Sequence, residues 1–428
     1  MNCYILRYSE IGLKSEQTRR RWLQALRDNI KRGLFQDRVD HNGLEIVQGR
    51  LILHTSDSRA TDCLSKAFGI VSFSPATEIR ADLADIRREA LALYNEHRPA
   101  TFRVTSQRLT KEFPMTSIEI NCSIGDAICG CGGTVDLENH EMNIGIEVIK
   151  GRAYVLCERF KGPGGLPYGV QGSACAIVRN YRDFLSALLF MKRGCRIDLV
   201  VLNSPMAANY IDILQSYSFE GLDVLLVEKE REIVSAIKRY MERGLEVFVS
   251  GDEMKMPEGA VNLCPTELYS PDMARSALRS CNILSLPEPV ENHRVSAGCT
   301  VFYKDTVLLL RRADEKTWVL PKGGVDSMEF FSEAAMREVC EESGICSQRL
   351  MAYIGKTRYS ASDMHGPFTK DVYYYLSVAK DNDVHLEHIF DSYTFLPVPE
   401  AMELLSFEND RKILRSAERI FININRNV

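Results

Sequence analysis

The chain has 428 residues, too many for one ordinary domain, and at roughly 150 residues per domain its length predicts about three. A composition of 45% hydrophobic and 26% charged residues is typical of a globular chain and excludes disorder, collagen and coiled coil as descriptions of the whole. The 53 Lys and Arg residues against 58 Asp and Glu give a net charge of −5, so the total charge indicates no polyanionic partner, although a local basic face is compatible with it.

The start of the chain is locally basic, with 11 Lys and Arg residues against 7 Asp and Glu in the first 60 positions. Its pattern predicts a strand over 2–8, a helix over 16–33 and strands over 44–47 and 50–54. Lys14, Arg19 and Arg20, the N-terminal basic cluster, lie around the start of that helix. Cations there are unfavourable to the helix dipole, which favours phosphate binding as their role, and an ordinary solvated face is the alternative.

Helices and strands alternate in the next segment. We predict helices over 78–96 and 117–128, and strands over 101–106, 141–148 and 152–160. The segment 161–167 has three glycines and two prolines and marks a boundary.

A regular strand–helix rhythm then runs from 173 to 285. The predicted strands are 174–178, 197–202, 222–227 and 245–250, and the predicted helices are 182–193, 206–217 and 228–243. Continuous apolar strands between amphipathic helices indicate a mainly parallel, Rossmann-like sheet covered on both faces. Residues 284–293 are a predicted linker, and a strand-rich unit with a terminal helix near 408–421 follows it.

The 13 cysteines are spread along the chain, and no signal-peptide pattern precedes them. We therefore expect a cytoplasmic protein with reduced thiols. The longest apolar runs are strand-sized, so no membrane contact is predicted. Cys129 and Cys131 form a close pair for which a metal site is one interpretation and small buried residues the other, since one pair cannot supply four zinc ligands.

The strongest motif runs from Gly323 to Ile345 and follows Gly-x5-Glu-x7-Arg-Glu-U-x-Glu-Glu-x-Gly-U, where U is a bulky aliphatic residue. Its two leading glycines predict a loop. Ser332 or Asp326 is expected to cap the helix that follows, and Gly344 is expected to end it.

The glutamates of this motif carry its chemistry. Glu338, Glu341 and Glu342 are spaced three and four residues apart, so they fall on one side of the helix. Three like charges there repel one another unless a cation neutralises them, and oxygen ligands suit Mg²⁺ or Mn²⁺. A solvated acidic face is the alternative.

All nine specified positions agree with the Nudix box, so the segment from Val295 onwards resembles the Nudix hydrolases. The resemblance implies a mixed sheet between helices (an α/β/α domain) and hydrolysis of a phosphoanhydride bond in a nucleoside diphosphate linked to another group. It also implies that Glu338, Glu341 and Glu342, with Gly323, hold the metal, and that one glutamate orients or deprotonates the attacking water. Glu329 and Arg337 would pair and brace the loop.

Cations and an aromatic residue near the box are candidates for substrate binding. We expect Arg311, Arg312 and Lys322 to neutralise phosphates of the substrate. The bound metal ion is expected to polarise the phosphoryl oxygens during attack by water. Trp318 begins a Trp-x-x-Pro-Lys-Gly-Gly segment that resembles diadenosine-polyphosphate and diphosphoinositol hydrolases. Tyr373 to Tyr375 are either alternating strand residues or base-stacking residues.

The first 165 residues resemble the tRNA 4-thiouridine synthases, the ThiI family. Tyr8-Ser-Glu-Ile-Gly-Leu-Lys14 and the Arg-rich helix after it are similar to the ferredoxin-like domain of that family. The segments 101–108, 113–120 and 153–167 are similar to its THUMP domain, which implies binding of tRNA. The expected RNA-binding residues are the N-terminal basic cluster together with Arg103, Arg108 and Lys161.

The third unit resembles the adenylating PP-loop domain of the same family (adenine nucleotide alpha hydrolase-like), through 190–194 and 247–252. It departs from that family at the phosphate loop. Residues 177–184 read Ile-Val-Arg-Asn-Tyr-Arg-Asp-Phe, without the glycines that let a backbone approach a phosphate. We therefore expect a degenerate PP-loop domain without adenylating activity.

The predicted fold is a multidomain α/β and α+β chain. Its predicted domains are ferredoxin-like (1–60), THUMP (61–168), degenerate PP-loop (169–286) and Nudix (292–428). The predicted function is a Mg²⁺- or Mn²⁺-dependent Nudix pyrophosphohydrolase, acting on a nucleotide-type small molecule such as a dinucleoside polyphosphate, on a tRNA-binding scaffold. The alternatives are a tRNA-binding protein whose Nudix domain senses a nucleotide and an active tRNA sulfurtransferase. The ThiI resemblance also implies a possible homodimer.

Overall fold

The computed structural model describes residues 1–364 and 366–426. The chain divides into two compact units. The first comprises Met1–Val170, Lys192–Gly194 and Leu278–Ile283, and the second comprises Gln171–Met191, Cys195–Ala277 and Leu284–Val428.

The first unit is built on one sheet in the order β2-β3-β1-β4-β7-β6-β5, with β8 beside β4. Its strands are β1 (Cys3–Arg7), β2 (Gly43–Val47), β3 (Arg50–His54), β4 (Ser72–Arg80), β5 (Phe102–Arg108), β6 (Met142–Ile149), β7 (Arg152–Leu156) and β8 (Phe160–Lys161). Its helices are α1 (Glu16–Gln36), α2 (Ala60–Lys66), α3 (Leu83–His97) and α4 (Ser117–Cys129). Strand β4 pairs with both β1 and β7, so it joins the two predicted domains of this unit into one sheet.

Strand β4 is where the sequence prediction of this unit was wrong. The predicted helix over 78–96 begins only at Leu83, because residues Thr77–Arg80 are extended and pair with β7. Asp82 caps the helix by accepting hydrogen bonds from the backbone N–H groups of Ala84 and Asp85. The strand predicted over 152–160 is likewise divided into β7 and β8, and β8 pairs with β4.

The second unit contains two sheets. Its strands are β9 (Ser173–Val178), β10 (Arg196–Leu202), β11 (Val224–Val227), β12 (Val247–Val249), β13 (Val261–Leu263), β14 (His293–Tyr303), β15 (Thr306–Arg312), β16 (Trp318–Val319), β17 (Lys322–Gly324), β18 (Gln348–Asp363), β19 (Gly366–Ala379) and β20 (Phe390–Pro397). The helices are α5 (Tyr181–Lys192), α6 (Ala207–Ser218), α7 (Ile233–Glu242), α8 (Pro271–Arg279), α9 (Phe331–Ser343), α10 (Val398–Leu404) and α11 (Glu408–Arg426).

The first of these sheets has the order β11-β10-β9-β12-β13, and all its pairs are parallel. This confirms the predicted parallel sheet. Strands β9 to β12 are mostly buried, because helices supply the crossover connections and cover the faces, whereas the edge strand β13 is largely exposed. We call residues 173–279 the parallel-sheet domain.

The other sheet is mixed, in the order β16-β15-β14-β19-β18, with β17 beside β14 and β20 beside β15. Strands β14 and β19 are parallel, and the remaining pairs are antiparallel. Successive residues of a strand point to opposite faces. Tyr373 therefore packs against Phe331 of α9, whereas Tyr374 joins the core with Leu414 and Ala417 of α11. The sheet lies between two helices, as the resemblance implied.

Two further expectations concern the whole chain. No helix among the described residues combines the length and apolar character needed to cross a bilayer. The prediction of reduced thiols was wrong for one pair, because the structure joins Cys340 and Cys346 in a disulfide. The turn at the end of α9 brings their Cα atoms to 4.4 Å. Cys129 and Cys131 are free and exposed, so their interpretation as small buried residues was wrong.

Candidate active site

The predicted loop and helix of the box form at the edge of the mixed sheet. Strand β17, which ends at Gly324, pairs with β14, and α9 then carries the acidic residues. Gly344 ends the helix with a φ of 76°, and its N–H donates to the Cys340 carbonyl at 2.9 Å, which confirms the predicted C-terminal glycine. The predicted N-caps were wrong: Phe330 is the N-cap, and the Ser332 hydroxyl instead donates to Asp223.

Arg337 organises three carboxylates. Its guanidinium donates two hydrogen bonds of 2.8 Å to Glu329, and it contacts Glu338 at 2.7 Å and Glu341 at 2.9 Å. A fifth hydrogen bond, of 2.8 Å, goes to the carbonyl of Gly324. The planar guanidinium has five N–H donors, so one side chain fixes the loop and the helix together. Glu329 and Arg337 are therefore paired, as the resemblance implied.

Glu342 lies in a different environment from Glu338 and Glu341. Its side chain is buried, and it accepts a 2.9 Å hydrogen bond from the backbone N–H of Lys322. Burial raises the pKa of Glu342 to about 8, and the charge of Lys322 only partly opposes this. Burial also raises the pKa of Glu338, with Glu341 adding to the effect and Arg337 opposing it.

These carboxylates fit a cation-binding role. A positive ion would relieve the cost of holding buried and mutually repelling carboxylates. Any side chain at Gly323 would overlap the carboxylate of Glu338, so the glycine lets the two approach. Among the described residues, carboxylate oxygens of Glu338, Glu341 and Glu342 do not all lie within 4.8 Å of one another. Arg337 instead donates hydrogen bonds to Glu338 and Glu341.

The predicted phosphate-binding cations differ in their environments. Arg311 pairs with Asp391 at 2.7 Å, and Arg312 pairs with Asp314 at 3.2 Å. Lys322 is half-buried, and its charge acts on Glu342. The charges of Lys322 and Arg312 thus both reach Glu342, and Lys322 also donates its backbone N–H to that carboxylate.

Lys370, on β19, was missed by sequence reasoning. Its ammonium has no ion pair or hydrogen bond with any other described residue. Burial lowers its pKa, and the nearby cations Lys322, Arg294 and Arg312 lower it further, whereas Glu338 opposes them. A partly buried cation surrounded by like charges suits an anionic ligand. Its position in the segment that resembles Nudix hydrolases was the available signal.

The aromatic candidates pack within the fold. Tyr373, Tyr374 and Tyr375 are all buried, so the base-stacking interpretation was wrong and the strand interpretation holds. The Tyr374 hydroxyl donates to Asp410 at 3.2 Å. Trp318 is half-buried against the core, and its ring lies 5.8 Å from the Arg311 guanidinium.

The predicted RNA-binding residues lie at several positions of the first unit. Lys14 is exposed beside the start of α1 and lies over the Trp22 ring at 5.2 Å, whereas exposed Arg20 pairs with Glu16 at 2.5 Å. Half-buried Arg19 is on the same helix, and exposed Lys161 is on β8.

The two remaining RNA-binding candidates are on β5. Arg103 donates to Asn143 at 3.3 Å, and Arg108 donates to the Phe113 carbonyl at 3.0 Å. Both are half-buried and tied to their own unit. The more exposed members of the predicted set are therefore at the start of α1 and on β8.

Another possible ligand group lies in the first unit. Oxygen and nitrogen atoms of Glu45, His54 and Glu78 are within 4.8 Å of one another. Arg152 donates to Glu45 at 2.5 Å and to Glu78 at 3.4 Å. The guanidinium already supplies the positive charge, so this group needs no metal ion.

The degenerate phosphate loop is filled by its own side chains. Asn180 accepts hydrogen bonds from the N–H groups of Arg182 and Asp183, at 2.9 and 3.1 Å, at the start of α5. The fully buried Asp183 pairs with Arg179 at 2.7 Å and accepts a 2.6 Å hydrogen bond from the N–H of Gly251. These N–H donors, which an anion would otherwise use, are engaged by a carboxylate and an amide.

Similar proteins were found along the whole chain. A "probable tRNA sulfurtransferase" of Thermococcus kodakarensis is 34% identical over 263 residues, which cover 58% of this chain and 68% of that protein. The chain belongs to the tRNA sulfurtransferase family. A second probable tRNA sulfurtransferase, of Methanocaldococcus jannaschii, is 33% identical over 253 residues, 55% of this chain and 66% of that protein.

Family models match three segments of this member of the tRNA sulfurtransferase family, in the predicted order. They match a ThiI ferredoxin-like domain at residues 3–74, a THUMP domain at 80–158 and a NUDIX domain at 292–417. The fusion of a Nudix domain to a ThiI-type chain is thus confirmed. The exact domain boundaries remain predictions.

Two solved structures that each cover 66% of this chain agree with its fold. The crystal structure of PH1313 from Pyrococcus horikoshii has a TM-score of 0.58 and 30% identity, covering 66% of this chain and 100% of that one. A 4-thiouridine synthetase–RNA complex with bound ATP has a TM-score of 0.54 and 22% identity, covering 66% and 86%. The latter supports the fold alone.

Proposed function

We propose that this protein is a Mg²⁺- or Mn²⁺-dependent Nudix pyrophosphohydrolase on a tRNA-binding scaffold. Its substrate would be a nucleoside diphosphate linked to another group, with dinucleoside polyphosphates as one class. The observation that carries the proposal is the Arg337 network, which holds Glu329, Glu338 and Glu341 at the edge of the sheet that carries Lys322.

Each group of the site has a distinct role in this proposal. Glu338, Glu341 and Glu342, with Gly323, would hold the metal, which when bound supplies positive charge to the phosphoryl oxygens. Lys322 and Lys370 would bind the phosphates and stabilise the charge that develops on them. Their ammonium groups carry the sign that a polyphosphate needs.

Proton transfer would be done by a glutamate. Glu341 is the candidate general base, because its side chain is 53% exposed and is reachable by water and substrate. Glu342 is buried, and at neutral pH without a cation its raised pKa favours the protonated form. Arg337 keeps the Glu341 carboxylate oriented, so its role is positioning.

The scaffold would bind tRNA through the first unit. The THUMP match and the tRNA sulfurtransferase relatives support this. Lys14 and Lys161 are exposed, and cationic contacts with phosphate supply most non-specific affinity for nucleic acid. A homodimer and a cytoplasmic location remain part of the proposal.

A tRNA-modifying protein whose Nudix domain senses a nucleotide is the second candidate. The relatives named tRNA sulfurtransferases favour it. The degenerate loop around Asp183 weighs against adenylation by the parallel-sheet domain, because side chains occupy the N–H donors there.

One experiment separates these two candidates from each other and from an active tRNA sulfurtransferase. The full-length protein is incubated with Mg²⁺ and a panel of nucleoside diphosphate derivatives and dinucleoside polyphosphates, with and without unmodified tRNA. Multiple turnovers of a phosphoanhydride support the hydrolase. Tight nucleotide binding without turnover supports the sensor, and adenylated tRNA formed from labelled ATP supports the sulfurtransferase.

A further inference from the structure

Two adjacent phenylalanines at the start of α9 belong to different cores. Phe331 packs against Tyr373 of the mixed sheet, with ring centroids 4.7 Å apart. Phe330 is equally buried but lies in the core of the parallel-sheet domain, against Leu225 and Tyr240. The Tyr240 ring meets it edge-on at 4.9 Å. The beginning of the Nudix helix is thus held on both sides.

Charged residues surround Phe330 and the first turn of α9. The Arg243 guanidinium lies 3.4 Å from the centre of the Phe330 ring. Arg239 and Arg243 contact the Glu333 carboxylate at 2.6 and 2.7 Å. Arg243 also pairs with Asp223 at 2.8 Å, and Asp223 accepts from the Ser332 hydroxyl at 3.0 Å. Helix α7 and its C-cap residue Arg243 therefore contact the first turn of α9 through two cations.

The backbone before Phe330 is fixed as well. Met328 has a φ of 66°, the left-handed region that costs a non-glycine residue roughly 1 kcal/mol or more. Arg239 donates a hydrogen bond to the Met328 carbonyl, and the Met328 N–H donates to Leu226 at 3.4 Å. A bridge between Leu225 and Phe330 adds the loop to β11, which is the edge strand of its sheet. This conformation depends on the neighbouring domain.

We propose that the parallel-sheet domain is a positioning element of the Nudix site, with Arg239 as its principal positioning residue. The fixed loop ends at Glu329, which pairs with Arg337, and Arg337 in turn orients Glu338 and Glu341. The inference rests on the proposed function, and it assigns a role to a domain whose own phosphate loop is filled. Sequence reasoning missed it because the box leaves position 330 unspecified.

The test uses the full-length chain and two readouts besides turnover. The first is hydrogen exchange of the backbone amides over residues 325–333, and the second is Mn²⁺ affinity measured by electron paramagnetic resonance. Arg239→Ala is expected to speed exchange in that segment and to weaken Mn²⁺ binding about tenfold, as for loss of a supporting contact behind metal ligands. Arg239→Lys, which keeps a donor and a charge, is expected to recover most of both.

Lys238→Ala is the matched control, because Lys238 precedes Arg239 on α7 and is exposed. It is expected to leave both readouts at wild-type values. Glu333→Gln removes the ion pair with Arg239 from the Nudix side, together with the pair to Arg243. It is expected to reproduce both effects of Arg239→Ala, which protects the test if that variant misfolds.

Two results would overturn the inference. One is wild-type exchange over 325–333 in both Arg239→Ala and Glu333→Gln, and the other is faster exchange with unchanged Mn²⁺ affinity. Failure of the proposed function is separable, since Glu341→Gln would then bind Mn²⁺ as tightly as the wild type whatever the exchange data show.

Discussion

Replacing Glu341 by glutamine tests the proposed catalysis with little change to the fold. The substitution keeps the size of the side chain and removes its charge, so neither general-base action nor anionic metal binding survives. The Glu341 side chain is 53% exposed and contacts Arg337 at 2.9 Å, while Arg337 keeps its hydrogen bonds to Glu329, Glu338 and Gly324. The network should therefore persist around the lost contact.

The two effects of this substitution differ in size. An exposed i,i+4 ion pair contributes about 0.3–0.5 kcal/mol, so the unfolding temperature should fall by no more than about 2 °C. Loss of a general base or metal ligand typically costs a hundredfold or more, and a hundredfold in turnover corresponds to about 2.7 kcal/mol of transition-state stabilisation. Unfolding can therefore not account for the loss of activity that we expect.

The assay compares Glu341→Gln with Glu403→Gln, in which an exposed glutamate of α10 is changed. Both full-length variants are tested at saturating Mg²⁺ with the substrate found in the nucleotide panel, and their unfolding temperatures are measured together. Turnover by Glu341→Gln within a few-fold of wild type would refute its assignment. A large fall in unfolding temperature would instead contradict the expected persistence of the Arg337 network, because the loss of turnover would then reflect the fold.

Three further predictions concern other parts of the chain. Changing the N-terminal basic cluster to alanine should weaken tRNA binding and flatten its dependence on salt, because fewer counterions are released. The control variant replaces Lys238, Lys255 and Lys304 together by alanine. If the salt slope measured by filter binding is the same in both variants, the RNA surface lies elsewhere. The parallel-sheet domain should not bind ATP, so saturable calorimetric binding by the full chain that disappears in Arg179→Ala/Arg182→Ala would contradict the filled loop. Burial and the charge of Asp223 raise the pKa of Asp198 to about 6. The contribution of Asp198 to the free energy of unfolding is therefore present at low pH and lost as the pH rises through 6. The Asp198→Asn variant should be more stable than wild type by on the order of 2 kcal/mol at pH 7.5 and not at pH 4, and equal urea unfolding curves at pH 7.5 would contradict this.

The sequence alone determined what depends on local spacing. The Nudix helix and its end at Gly344 follow from a motif within one short segment, and the family resemblance that this motif carries implied the pairing of Glu329 with Arg337. The parallel sheet followed from continuous apolar strands, since such strands need cover on both faces. Motif resemblance named the ferredoxin-like, THUMP and Nudix parts, and the family models agree.

Tertiary structure decided what depends on partners distant in the chain. Local periodicity predicted a helix at the end of strand β4. The segment is a strand because pairing of Thr77–Arg80 with β7 overrides that local preference. Nothing in the motif distinguishes Phe330 from Phe331, yet the two enter different cores. The burial of Glu342 and the environment of the Lys370 ammonium, which pairs with no other described residue, also arise from neighbouring elements. Burial, ion pairing and pKa shifts depend on which groups meet in space, and spacing along one helix does not contain that information.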